Sequence, residues 1–125
     1  MVIKILDEEI YEWANELVVV EIEENRIPIE KKILMITSGL MLEHIAPTYF
    51  NKGGIPKNIF ELIEKLDLEQ EKIEVEKMQK FTKENKNEEV FEQYSIALYG
   101  LNNFSFEEIK QEMRDDIEAF LINYN

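Results

Sequence analysis

Residues 33–45 read Ile-Leu-Met-Ile-Thr-Ser-Gly-Leu-Met-Leu-Glu-His-Ile, and Pro47 follows two positions later. At helical spacing Ile29, Ile33, Ile36 and Leu40 form one stripe, and Leu34, Met41 and Ile45 form another. Apolar side chains therefore cover most of the circumference. A helix apolar nearly all round must be enclosed by other elements. Interrupted by Thr37, Ser38 and Gly39, the run falls short of the about 20 apolar residues that cross a bilayer. The chain must supply its own cover, which predicts an all-α bundle built around residues 29–46. Pro47 should end the central helix, because its ring excludes helical geometry at Ala46. Gly39 costs about 1 kcal/mol relative to alanine inside a helix. The expected compensation is a neighbouring helix lying close over Ser38 and Gly39. Gly53 and Gly54 supply the freedom for the turn that follows.

The flanking segments read as the covering helices. Asp7, with Glu8 and Glu9 behind it, marks a helix start, and Ile10, Trp13, Ala14, Leu17 and Val18 recur at helical spacing. Residues 18–23 then alternate and are rich in valine, so two continuations compete. One is helix to about Asn25; the other pairs a strand at 2–6 with a strand at 18–22, giving an α+β fold with an N-terminal hairpin. Further on, Pro56 and a capping box at Asn58 and Glu61 open a helix carrying Ile59, Phe60, Ile63 and Leu66. Asp67 and Gln70 open the next helix, or a bend in the same one. There the apolar residues thin to Ile73, Val75, Met78 and Phe81 among alternating charges, with Glu76 and Lys80 at pair spacing. An exposed, charge-laced helix is expected.

Val90, Phe91, Tyr94, Ala97 and Leu98 predict an amphipathic helix closed by Gly100 as a left-handed cap. Ser105 and Glu108 form a capping box, with Phe104 and Ile109 as its hydrophobic staple. In the last helix Ile109, Met113, Ile117, Phe120, Leu121 and Tyr124 share one face. Glu107, Glu108, Glu112, Asp115 and Glu118 are placed on the other, with Asp116 at the margin in need of a partner. The short connection predicts that the last two helices are antiparallel neighbours. The count is five or six helices in one domain spanning residues 1–125.

Charge decides which partners are admissible. Against 27 acids stand 14 bases, a net charge of −13. Such a surface steers toward basic partners and lacks the basic footprint that nucleic acid or anionic lipid requires. Residues 88–125 hold nine acids against two bases, so the acidity gathers late in the chain. With no cysteine there is no thiolate or disulfide chemistry, and a single histidine argues against zinc. Met41, three residues before His44, removes the Glu-x-x-His pair of a di-iron bundle. Glu21, Glu23, Glu24, Asp115 and Asp116 lack the spacing of a calcium loop. No phosphate-binding glycine loop occurs. The expectation is therefore no enzyme, no cofactor and no metal. The opening residues MVIKILDEE lack the apolar core of a secretory signal, which places the expected location in the cytoplasm.

The most site-like group is Glu43, His44, Tyr49 and Asn51 at the end of the central helix. Its plainer reading sets His44 at the negative end of the helix dipole, with Tyr49 and Phe50 closing the core. The run Ile45-Ala46-Pro47-Thr48-Tyr49-Phe50-Asn51-Lys52-Gly53 resembles the Ile-Gly-Pro-x-Tyr-Tyr-Asn-x-Gly motif of a family of small uncharacterised bacterial helical proteins. Ala46 replaces the family's glycine and Phe50 its second tyrosine. The likeness covers about the first half of the chain. It implies helical structure and bacterial origin, and brings no activity with it.

These readings point to touching rather than transforming. The expected function is an acidic inhibitor of a basic protein: an immunity protein or antitoxin against a nuclease-like toxin, or a nucleic-acid mimic. Its contact face would be Glu107, Glu108, Glu112, Asp115 and Glu118. The alternative is a helical adaptor or oligomer using Trp13, Tyr49, Phe50 and the row Ile73, Val75, Met78 and Phe81.

Overall fold

The computed structural model describes residues 5–18, 27–47 and 54–123. These form six helices: α1 (Asp7–Leu17), α2 (Ile29–Ile45), α3 (Ile59–Lys65), α4 (Leu68–Glu84), α5 (Glu88–Asn103) and α6 (Phe106–Asn123). No strand occurs among the described residues. The fold is an all-α bundle, as the enclosed central run requires. α1 stops at Leu17 and Val18 is extended, in keeping with the low helix propensity of the valines there. The competing continuations, helix to Asn25 or a hairpin, fall largely on residues outside the described ones.

α2 is the axis. It packs against α1, α3, α5 and α6, and ends at Ile45 before Pro47. Its C-terminal half supplies Met41 and Leu42 to a core completed by Ile63 of α3, Val75 of α4, Leu101 of α5 and Ile109, Met113 and Ile117 of α6. Its N-terminal half supplies Ile33 to a smaller cluster with Ile10, Ala14 and Ile96. Phe104 packs against both clusters. Full burial of each large side chain is worth about 1.5–3 kcal/mol.

Local signals set several helix ends. Asp67 accepts from the backbone N–H of Glu69 at 3.1 Å and of Gln70 at 3.2 Å, so α4 is a separate helix. Ser105 accepts from the N–H of Glu108 at 3.1 Å, as the capping box predicts. Asn58 makes no such bond, and the capping box expected there does not form. At the other end of α3, Lys110 of α6 donates to the Glu64 carbonyl at 2.7 Å, satisfying one of the orphan acceptors of a helix terminus.

Four further expectations need correction. α5 runs through Gly100 to Asn103, so Gly100 is a helix-interior residue and not a left-handed cap. The reason lies across the interface: a Cβ at Gly100 would stand 2.0 Å from Thr37 Oγ1 of α2. The close approach on α2 is thus at Thr37, whereas Gly39 has open space beside it. The last two helices make few contacts with each other. Extended Phe104 redirects the chain, sending α6 onto α2 and α3. The antiparallel partner of α5 is α4, which therefore has a buried side. Val75, Gln79 and Thr82 face inward, and Gln79 donates to Ser95 Oγ at 3.0 Å. Only Ile73, Met78 and Phe81 of the expected row remain exposed.

Candidate protein-binding surface

The five acids assigned to one face of α6 do not share a single environment. Glu107 accepts from Arg114 at 2.6 Å, and Arg114 also donates to Gln111 at 2.9 Å. Asp115 accepts from Gln111 at 2.9 Å. Glu108 and Glu118 are exposed. Glu112 is the correction. It is buried against α2 and paired with Lys31, one turn C-terminal to Ile109 on the side turned toward the central helix. A carboxylate in that position needs a cation, because an unpaired buried charge is severely unfavourable. Lys31 supplies it from the first turn of α2.

Asp116, expected to need a partner, accepts from Ser38 Oγ at 3.2 Å. Burial, reinforced by the neighbouring Glu112, pushes its carboxyl up to about 6, against the opposing pull of Ser38 and Lys31. Glu112 and Asp116 thus fasten α6 to α2, Glu112 from a buried position and Asp116 from a half-buried one.

The group at the end of α2 also divides. His44 Nδ1 lies 2.7 Å from Glu71 Oε2, tying α2 to α4. Glu43 instead borders a groove of about 390 Å³ with Leu17, Ile36, Gly39, Leu40 and Gln93. Tyr49 and Asn51, with most of the motif that resembles the bacterial family, lie outside the described residues.

A different acidic surface is assembled where α1 meets α5. The outer side of α1 carries Glu12 and Glu16, and the first turn of α5 carries Glu88 and Glu89. Partial burial raises the Glu92 carboxyl above its ordinary range, and Glu16, Glu88, Glu89 and Glu12 raise it further, in that order. Glu92 therefore registers the potential of acids from two helices. Neither helix contains a lysine or arginine to offset it. Trp13 and Phe91 meet edge-to-face across the same junction, with centroids 6.1 Å apart and planes at 70°. Lys83 of α4 reaches over Phe91 at 5.4 Å, and Lys86 borders the same edge of the junction. Tyr11 and Tyr99 add a hydroxyl contact of 3.2 Å that locks α1 onto α5.

The sequence held a sign of this patch: two helices free of bases, one of them bearing the lone tryptophan. Their adjacency is tertiary, and no local pattern carries it. Among the described residues no three metal-ligating side chains come together, and no helix is long and apolar enough to cross a membrane. Comparison with protein-family models, with curated proteins and with solved structures finds no match for this chain.

Proposed function

We propose that the chain is an acidic protein-binding inhibitor that covers the basic working surface of another protein. The reading is that of an immunity protein or antitoxin against a nuclease-like toxin, acting inside the cell without a cofactor. What supports it is the convergence of Glu12, Glu16, Glu88 and Glu89 on Glu92 around the Trp13–Phe91 pair. A field of one sign accelerates encounter with a basic partner by about ten- to a thousandfold and falls with ionic strength. Aromatic anchors ringed by polar groups are where binding energy concentrates in protein interfaces. Glu108, Asp115 and Glu118 on α6 extend the negative exterior.

The test uses the immobilised chain, challenged with cytosol of its source at low and high salt. The wild type should retain a basic, nucleic-acid-acting protein at low salt, release it at high salt, and suppress its activity in solution. Glu12→Lys, Glu16→Lys and Glu89→Lys together should slow association about tenfold or more while leaving the helical signal unchanged. Retention by the triple variant would remove the α1–α5 face from the proposal. A captured protein whose activity is unaffected would remove inhibition.

A further inference from the structure

The outer side of α4 carries a patch that the acidic face does not use. Ile73 is 50% exposed and Phe81 57%, with Met78 at 38% between them. Ile73, Lys77 and Phe81 follow one another at four-residue steps and so lie along one side of the helix. The side opposite is the one buried on α5.

Charge decides what can cover this patch. α1 and α5 carry acids alone, and α6 sets Lys110 and Arg114 against six acids. Two copies of such a chain repel one another over most of their surface. α4 differs, with Lys72, Lys77, Lys80 and Lys83 against Glu69, Glu71, Glu74, Glu76 and Glu84. It is near neutrality, and its charges are sorted along the axis. The first half is acidic apart from Lys72, and the second half is basic apart from Glu84. Matching the helix dipole does not account for this order, since the dipole acts only over the first and last turns. Glu74, Glu76, Lys77 and Lys80 sit in the middle.

An acid-to-base gradient is complementary to itself run backwards. From this we infer that α4 is the face by which two copies of the chain associate, antiparallel, about a two-fold axis near Lys77. In that register Ile73 meets Phe81 of the second copy. Glu76 comes beside Lys80 of that copy, and Glu69 beside its Lys83, each contact occurring twice by symmetry. Lys77, at the axis, has Glu74 of its own helix 3.7 Å away to offset its counterpart. A 17-residue helix is about 25 Å long, so the interface is at the small end of the range for specific pairs. The dimer should be populated at about 100 µM and dissociate toward about 1 µM. The proposal does not rest on the acidic face on α1 and α5 and meets it only at Lys83, whose side chain borders both.

Sedimentation velocity over that concentration range tests it with two charge variants. Glu69→Lys with Glu76→Lys puts a base at all four paired positions of the contact (69, 76, 80 and 83), and Lys80→Glu with Lys83→Glu puts an acid at all four. Each alone should be monomeric at the top concentration, and an equimolar mixture should restore the dimer. A third variant, Ile73→Ser with Phe81→Ser, keeps the charges and should also lose it. Circular dichroism confirms that each remains helical. A wild type monomeric at about 100 µM overturns the proposal and leaves the patch to a different protein. A dimer that survives either charge variant, or that mixing folded variants fails to restore, overturns it equally.

Discussion

Ser38 has one hydroxyl proton and two acceptors within reach, the Met35 carbonyl at 3.1 Å and Asp116 Oδ2 at 3.2 Å. If Asp116 is ionised, the two compete for that proton. If Asp116 is protonated, it donates to Ser38 Oγ and Ser38 donates to Met35, so the network closes. Burial and Glu112 favour the neutral form, whereas the Ser38 hydrogen bond and Lys31 oppose it. The folded-state value of about 6 lies above the about 3.9 of an unfolded aspartate, so between these pH values the folded chain binds the proton more tightly. The contribution of Asp116 to stability is therefore greatest below about pH 4, falls as pH rises to about 6, and is flat beyond. Solvent still reaches part of the carboxylate, which limits the effect to about 1 kcal/mol. Asp116→Asn should accordingly raise the melting temperature by about 3–5 °C at neutral pH, and the advantage should vanish near pH 4. Thermal melts of both proteins across that range decide it. A difference that does not change with pH would mean that Asp116 is not the titrating group.

Gly100 shows how two elements constrain one residue. Alanine there would gain about 1 kcal/mol of helix propensity. Its methyl would also meet Thr37 Oγ1 at 2.0 Å and Cβ at 3.0 Å, while that hydroxyl is held to the Ile33 carbonyl at 2.8 Å. Overpacking outweighs propensity, so Gly100→Ala should lose about 2 kcal/mol in denaturant unfolding. Adding Thr37→Ala should recover more than half, as a double-mutant cycle would reveal. The same contact shows why the sequence misleads here: a glycine late in an apolar helix has the appearance of a cap, and the threonine that needs it lies on another helix. Several signals contained within a few residues survive intact, such as Ser105 with Glu108, Asp67 with Gln70, and Pro47 after the apolar run, whereas the capping box at Asn58 does not form. Glu112 fails for the opposite reason. Its periodicity borders both faces of α6, and only Lys31, 81 positions away, decides the side. The acidic surface at Glu92 is likewise built from α1 and α5, which no sequence window contains together. What was legible is the enclosed axis and the N-caps of α4 and α6; the contact surfaces depend on which helices become neighbours.

For the molecule as a whole, a net charge of −13 over 125 residues sets two effects of opposite sign. Self-repulsion among unpaired acids on α1, α5 and α6 destabilises the compact state, and added salt screens it. Among the described residues the ion pairs that salt weakens are few, and the best buried of them, Lys31 with Glu112, is shielded from solvent on the Glu112 side. Repulsion should win, so the melting temperature should rise by several degrees between low salt and about 0.5 M sodium chloride. Over the same interval association with a basic partner should slow by about tenfold or more, since that attraction is screened by the same ions. Stability and capture thus move in opposite directions in one preparation. Melting curves and association rates at matched salt concentrations measure both. A melting temperature that falls with salt would mean that ion pairs outweigh repulsion, and the acids would then serve the fold more than the encounter.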